Sequence, residues 1–290
     1  MSLFNPNIIV FVGAIVIDLV FGEWPNVVHP VVWMGKIVKL FDAYSSYKSV
    51  RFSLGLLLLA ADLAVWLSIA FFATSTKTLI GITLQLFLFK STFSIRALYE
   101  HVAKCSSKDI EQMRKSVSMI VSRDVSKLDR PHLISAALES LSENTSDSIT
   151  GPFFYYALFG LGGAVIYRVV NTLDAVVGYR TKEFEWFGKP SARADDVLNF
   201  IPARITALIF IVLSPQRAFK SVERYGSLKI NATYPMSALS GVLNVWFEKK
   251  GVYRFEGKEP TLTDISRGLK AELFVVSILI LVFLSIVMVR

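Results

Sequence analysis

AELFVVSILILVFLSIVMV, residues 271–289, carries one ionisable side chain, Glu272 at its edge, and is otherwise apolar or small. About 20 such residues in a helix span the hydrocarbon of a bilayer, so this run reads as a membrane crossing. Outward from it lie further apolar runs. Residues 152–177 are long enough but are broken by Gly160, Gly162 and Gly163, and they contain Arg168, Asn171 and Asp174. Residues 52–73 hold Asp62, and residues 79–93 follow after only TSTKT, which predicts a tight helical hairpin. Residues 8–21 are short and carry Asp18, and residues 197–213 hold Pro202 and Arg204. The expected fold is all-α: a polytopic integral membrane helical bundle with broken or re-entrant helices and a cytoplasmic-facing helical loop region. Residues 1–290 read as a single membrane-embedded domain with a polar helical region, 96–150, and a basic one, 215–270.

Composition points the same way. Apolar residues make up 53% of the 290 and charged ones 19%, with a mean hydropathy of +0.51; an ordinary soluble domain has ~45–50% and ~25%. The net charge of +8 is diluted by long uncharged runs, so no basic stripe for nucleic acid exists. The charge is expected to face anionic head groups or an anionic substrate. The lone Cys105 excludes an internal disulfide and an all-Cys metal site. The N-terminal MSLFNPN lacks the Lys or Arg that opens a secretory signal, so the first apolar run is expected to be a retained membrane helix.

Lys and Arg in short loops mark the cytoplasmic side. Residues 23–51 hold four, 96–150 eight and 215–270 ten, against one in 74–78 and four in 171–196. Six crossings would therefore put the three richest loops on the cytoplasmic face. The loop 171–196 would then fall on the opposite face, unless the glycine break at 160–163 makes its segment re-entrant.

Ionisable groups at membrane depth cost about 2.5–3.5 kcal/mol, so they normally face a partner or a wet cavity. On a helix, Glu139, Glu143 and Asp147 stand at i, i+4 and i+8, and like charges at that spacing repel. Such a row needs a counter-charge: arginines, or Mg²⁺, which accepts carboxylate and amide oxygens such as that of Asn144. A solvated acidic face is the alternative. A second cluster runs from Arg168 through Asn171 and Asp174 to Tyr179 and Arg180; here the alternative is charge neutralisation of Asp174 by Arg168 or Arg204. A third joins Ser191, Arg193, Asp195 and Asp196 to Asn199 and Arg204, where Arg204 is placed to hold a phosphate and the aspartates alternatively cap a helix. The segment DIEQMRKSVSMIVSRDV, 109–125, reads as an amphipathic helix with Ile110, Met113, Val117, Ile120 and Val121 on one face.

No phosphate loop is present: Gly188-Lys189 and Gly35-Lys36 have Glu183 and Pro30 where the upstream glycine belongs. His29, His101 and His132 are scattered, and only His29, where a polar loop returns to an apolar helix, stays a candidate.

His29-Pro30…Met34-Gly35, Ser122-Arg123-Asp124, Glu139…Glu143-Asn144…Asp147-Ser148, Asn171-Thr172…Asp174…Gly178-Tyr179-Arg180, Phe187-Gly188…Ser191-Ala192-Arg193…Asp195-Asp196 and Asn199…Pro202-Ala203-Arg204 occur in this order. Together they resemble the CobD/CbiB family, membrane enzymes of cobalamin biosynthesis, over nearly the whole chain. The resemblance implies ATP-dependent amide synthesis, joining a propionate carboxylate of adenosylcobyric acid to aminopropanol phosphate. It implies ATP and Mg²⁺ as cofactors, a corrinoid and an amino-alcohol phosphate as partners beside membrane lipid, and a cell-membrane location with the active face cytoplasmic. The expected catalytic residues are His29, Glu139, Glu143, Asn144, Asp147, Asn171 and Asp174, with Glu139, Glu143, Asp147 and Asp174 as metal ligands. Arg123, Tyr179, Arg180, Ser191, Arg193, Asp195, Asp196, Asn199 and Arg204 are expected to bind substrate or phosphate, with His29 or a carboxylate as the base for the incoming amine. Two positions depart from the family pattern: Met236 stands where a glutamate is expected, which points to a different amino-alcohol specificity, and Ser122 replaces a glycine. The competing readings are a transporter of an anionic or corrinoid solute, built from the same broken helices, and a non-catalytic membrane regulator.

Overall fold

The computed structural model describes residues 3, 5, 7–41, 47–178 and 184–290. In chain order the helices are α1 (Ile8–Phe21), α2 (Pro30–Ile37), α3 (Lys48–Ser75), α4 (Leu79–Lys90), α5 (Arg96–Lys104), α6 (Ile110–Ser118) and α7 (Arg130–Thr145). A π-helical turn, Ser146–Thr150, leads into α8 (Gly151–Val177), followed by α9 (Lys189–Leu198), α10 (Phe200–Leu213), α11 (Pro215–Tyr225), α12 (Thr233–Leu243) and α13 (Leu262–Val289). The only strands among the described residues are β1 (Glu248–Lys249) and β2 (Tyr253–Arg254), an antiparallel pair with Glu248 opposite Arg254. The all-α expectation holds.

The chain forms two compact units. One comprises residues 1–94, 151–198 and 282–290, and the other residues 95–150 and 199–281. In the first, α1 packs on α4, and α3 packs on α4, α8 and α9. Where α1 ends, the fully buried Asp18 and Lys90 pair at 3.1 Å, and Lys90 also reaches Glu23 at 2.9 Å. A buried ammonium is tolerable only with such partners. The helical path of α8 is interrupted at Phe159 and at Gly160, whose φ of +58° suits glycine. A Cβ there would stand 2.7 Å from the Asn5 carbonyl oxygen. The break frees backbone donors, and one is recovered when the Gly162 N–H donates to the Leu3 carbonyl at 2.9 Å.

In the second unit α12 packs on α7, α10 and α11, and α10 packs on the π turn, where the buried Thr150 and Thr206 hydroxyls bond at 2.7 Å. The amphipathic helix expected over 109–125 is shorter. It starts at the Asp109 cap, whose carboxylate accepts from the Glu111 N–H, and ends at Ser118, so Ile120 and Val121 lie outside it. Met113 and Val117 carry its buried face.

Among the described residues three helical stretches are long and apolar enough to cross a membrane: Lys48–Ser75, Arg130–Val177 and Leu262–Val289, or four if Lys189–Leu198 and Phe200–Leu213 count as one. Of the six apolar runs in the sequence, those at 8–21 and 79–93 thus form helices too short for a full crossing. At 14 and 12 residues, α1 and α4 fall short of the ~20 a crossing needs.

Because α13 begins at Leu262, Glu272 sits inside the helix and not at its edge. It is fully buried, and neither carboxylate oxygen has a hydrogen-bond partner. Replacing an unsatisfied polar group by an apolar one of similar shape removes its desolvation penalty. Glu272→Met is therefore expected to raise the thermal unfolding midpoint by the equivalent of about 1–3 kcal/mol, measured on detergent-solubilised protein. A lower midpoint would show that the carboxyl contributes stability.

Candidate functional site

The richest polar cluster lies in the second unit, around Glu139 on α7. The helix is set by an Asp129 cap, whose carboxylate accepts from the His132 N–H, and by Pro131 in its first turn. Glu139 is only 5% exposed. Its Oε1 accepts from the Ser135 hydroxyl at 2.6 Å and meets the Arg123 guanidinium at 3.0 Å, while Oε2 accepts from the Tyr253 hydroxyl at 2.6 Å. Ser135 in turn accepts from the Glu248 N–H at 2.8 Å, and Arg123 donates to the Glu248 carbonyl at 3.1 Å. One carboxylate thus ties the loop before α7, α7 itself and the β1–β2 strap together. Burial and the neighbouring Glu139 hold the Tyr253 phenol well above the ordinary tyrosine range, so it stays a donor.

Beside this hub stands an excess of cations. Burial lowers the Lys249 pKa, and repulsion from Lys229 and Arg123 lowers it further, against the opposing pull of Glu139 and Glu143. Lys229 also lies 5.6 Å from the Tyr253 ring centre. Cations that destabilise one another in this way gain most from a bound anion. The Met236 sulfur, buried, stands 3.9 Å from the Tyr253 hydroxyl.

The row expected of Glu139, Glu143 and Asp147 does not run along one α-helical face. Glu139 turns into the core, Glu143 and Asp147 are half-buried, and Asp147 falls in the π turn, which changes the angular step. The expected counter-charge on Glu139 is Arg123. Asn144 turns back on its own helix, its amide donating to the Ser140 carbonyl at 2.9 Å. Among the described residues no group of three or more His, Cys, Asp or Glu side chains is placed to hold a metal ion. The Glu139 oxygens, which already accept three bonds, do not fit the role of Mg²⁺ ligand.

Arg204 on α10 is fixed by its own surroundings. Its guanidinium is flanked by the Phe200 and Tyr234 rings, 3.6 Å and 3.9 Å from their centres, and donates to the Phe200 and Ile230 carbonyls and to Asn231 Oδ1 at 2.9–3.0 Å. This clamp locks α10 to the loop before α12. Asn199, buried, precedes α10.

In the first unit α8 and α9 bring together Arg168, Asn171 and Asp195: Arg168 donates to Asn171 Oδ1 at 3.3 Å, and the Asn171 amide donates to Asp195 Oδ1 at 3.2 Å. Asp174 lies one turn on from Asn171. Gly188 lets the chain close over the end of α8, since a Cβ there would strike the Val177 carbonyl oxygen. Ser191 and Thr172 are buried, and neither hydroxyl has a hydrogen-bond partner. Arg193 and Asp196 form an exposed pair at 3.4 Å. Asp195 and Asp196 sit in the last turns of α9, so neither caps the following α10, whose N-cap position is Asn199. Tyr179 and Arg180 lie outside the described residues.

His29 is engaged as a helix cap. Its Nδ1 accepts from the Val31 N–H at 3.2 Å, which leaves the proton on Nε2, 2.8 Å from Glu23. With both ring nitrogens occupied, His29 positions α2, and the expectation of a free base there is not supported by this geometry.

The sequence model described as CobD/Cbib protein matches residues 11–278. The chain belongs to this family. Curated relatives include probable cobalamin biosynthesis proteins CobD from Pyrococcus furiosus, 47% identical over 89% of this chain and 90% of the relative, and from Thermococcus kodakarensis, 48% identical over 92% and 91%. A third, from Methanocaldococcus jannaschii, is 39% identical over 91% and 92%. No solved structure matches the chain. The motifs that resemble CobD/CbiB sequences therefore sit in a chain that matches the CobD/Cbib family nearly throughout. Sequence reasoning missed Ser135, Tyr253 and Lys249, which acquire meaning only through Glu139, and Lys229, which acquires it through Lys249 and the Tyr253 ring. The strands β1 and β2, two residues each, are too short to carry a periodic signal in the sequence.

Proposed function

We propose that this chain is an ATP-dependent amide ligase of cobalamin biosynthesis, joining adenosylcobyric acid to aminopropanol phosphate to give adenosylcobinamide phosphate. It acts as a multi-pass protein of the cell membrane with its basic, polar segments on the cytoplasmic face. Family membership and the names of its curated relatives support the pathway. The observation that supports the chemistry is the gathering of Arg123 and Lys249 around a buried, fully bonded Glu139, with Lys229 beside Lys249 and the Tyr253 ring.

A carboxylate is a poor electrophile. In the proposed reaction its oxygen attacks the γ-phosphorus of ATP and ADP leaves; the amine then attacks the acyl carbon and phosphate leaves, with one proton released. Both steps move phosphate charge, which preorganised cations stabilise. Arg123 is oriented by Glu139, so it meets an anion without reorganising. ATP is a consumed substrate here and would bring Mg²⁺ with it, Glu143 and Asp147 being the nearby carboxylates that remain half-buried.

The test is purified protein with adenosylcobyric acid, ATP, Mg²⁺ and aminopropanol phosphate, analysed for the amide by mass. Solute flux across vesicles without a covalent product would replace the ligase by a transporter. Binding of the phosphorylated amine also has a predicted pH dependence. Lys249 must be charged to hold phosphate, and its pKa lies below the ordinary lysine value, so as pH rises affinity is lost earlier than an ordinary lysine would lose it. Lys249→Arg, which stays charged, is expected to carry the affinity to higher pH. Identical profiles for the two proteins would remove Lys249 from the site.

A further inference from the structure

A cavity of about 670 Å³ opens between α11, α12 and the segment after the β1–β2 strap, within the size range of small-molecule sites, ~300–1,000 Å³. Its α11 wall is cationic. Arg217, Lys220 and Arg224 stand at i, i+3 and i+7, on one face of that helix, spread over about 10 Å of its axis. Arg224 is held by Glu256 at 2.6 Å. Arg217 makes only a side-chain bond to the Ser214 hydroxyl, at 3.1 Å, and among the described residues neither it nor Lys220 has a carboxylate within ion-pair distance. Glu223 also lines the cavity, so the wall keeps a positive balance over two acidic groups. Ser221, next to Lys220, is another lining residue, although its hydroxyl oxygen is itself buried. Tyr225, another lining residue, stacks on Phe255 at 4.8 Å, and Phe255 stacks on Tyr253 at 5.2 Å. The cavity is therefore two ring contacts from the tyrosine that donates to Glu139.

We infer that this cavity binds the polyphosphate of a nucleotide, with Arg217 and Lys220 pairing successive phosphates. Cations spread over two helical turns match a chain of phosphates better than a single one. The inference rests on the ligase reading for the identity of the nucleotide as ATP, and it supplies the nucleotide site that no phosphate loop provides.

The test is titration of full-length, detergent-solubilised protein with a fluorescent ATP analogue, comparing wild type with Arg217→Gln/Lys220→Gln, the charge-preserving Arg217→Lys/Lys220→Arg, and the control Lys77→Gln. Loss of two charge-assisted contacts is expected to weaken binding by at least about tenfold, while the charge-preserving pair and the control stay near wild type; size-exclusion profiles show that all four are folded. Equal affinity in wild type and the Gln pair overturns the inference. So does a cavity that takes only anionic lipid, read as variant-sensitive binding to phosphatidylglycerol vesicles with no competition by ATP. If ATP binds through Arg217 and Lys220 but no amide forms with any amine offered, the ligase reading fails and the site stands. If amide forms with an unchanged KM for ATP in the Gln pair, the site fails and the reading stands.

Discussion

Glu139→Ala is expected to abolish amide formation and to destabilise its unit by about 3–5 kcal/mol, because removing one partner of a buried ion pair strands the other. The Arg123 side chain is 15% exposed and its partner's 6%. Without Glu139, Arg123 keeps its bond to the Glu248 carbonyl, but its charge is uncompensated, and the Tyr253 and Ser135 hydroxyls lose their acceptor. A loss of activity that merely follows unfolding would say nothing about chemistry. The double variant Arg123→Met/Glu139→Leu separates the two. Replacing both charges by apolar groups of similar volume is often neutral or stabilising, so its unfolding midpoint is expected to return towards wild type. Amide formation should stay absent, since the oriented cation is gone. A stable double variant that ligates at the wild-type rate would reduce the Glu139 cluster to a structural fastening.

The sequence carries the parts of this arrangement that depend on local periodicity. The apolar runs beginning at Ile8, Leu79 and Pro152 and ending at Phe21, Leu213 and Val289 coincide with helix ends within a residue or two, because long apolar stretches have few other ways to satisfy their backbone. Need for a counter-charge on Glu139 was also legible, since a carboxylate row repels itself; its supplier, Arg123, lies 16 residues upstream and reaches it through a loop with no periodic signature. Roles fixed by tertiary contact were not legible. His29 and Arg204 have the residue types of a base and a phosphate holder, yet a backbone N–H and two aromatic rings claim them. Asp147 illustrates the limit of spacing arguments: i+8 places it on the face of Glu139 only while the helix stays α, and the π turn at Ser146 ends that condition.

Lys90→Met should be comparably damaging in the other unit, and its effect should depend on acid. Lys90 is fully buried with Asp18 at 3.1 Å and Glu23 at 2.9 Å, and its ammonium also lies 5.9 Å from the Trp24 ring centre. Removing it leaves a buried Asp18 facing an apolar stub, for which about 3–5 kcal/mol of destabilisation is expected. Glu23 reports on the same network. Burial favours its neutral form, but the hydrogen bond from His29, the Lys90 charge and a hydrogen bond from Ser94 outweigh burial and hold its pKa at about 2. A carboxyl whose folded pKa lies below its unfolded one contributes stability that is present above the ordinary glutamate value and is lost as pH falls towards the folded pKa. Wild-type protein should therefore lose this contribution progressively below the ordinary value of 4.5, down to about 2. In Lys90→Met the Glu23 pKa moves up, and less of the remaining stability is sensitive to acid over that range. Unfolding midpoints of both proteins between pH 3 and 8 decide the matter. Parallel curves would mean that Lys90 does not hold Glu23 in its ionised form, and an unchanged midpoint at neutral pH would mean that Asp18 is neutralised by something other than this ammonium.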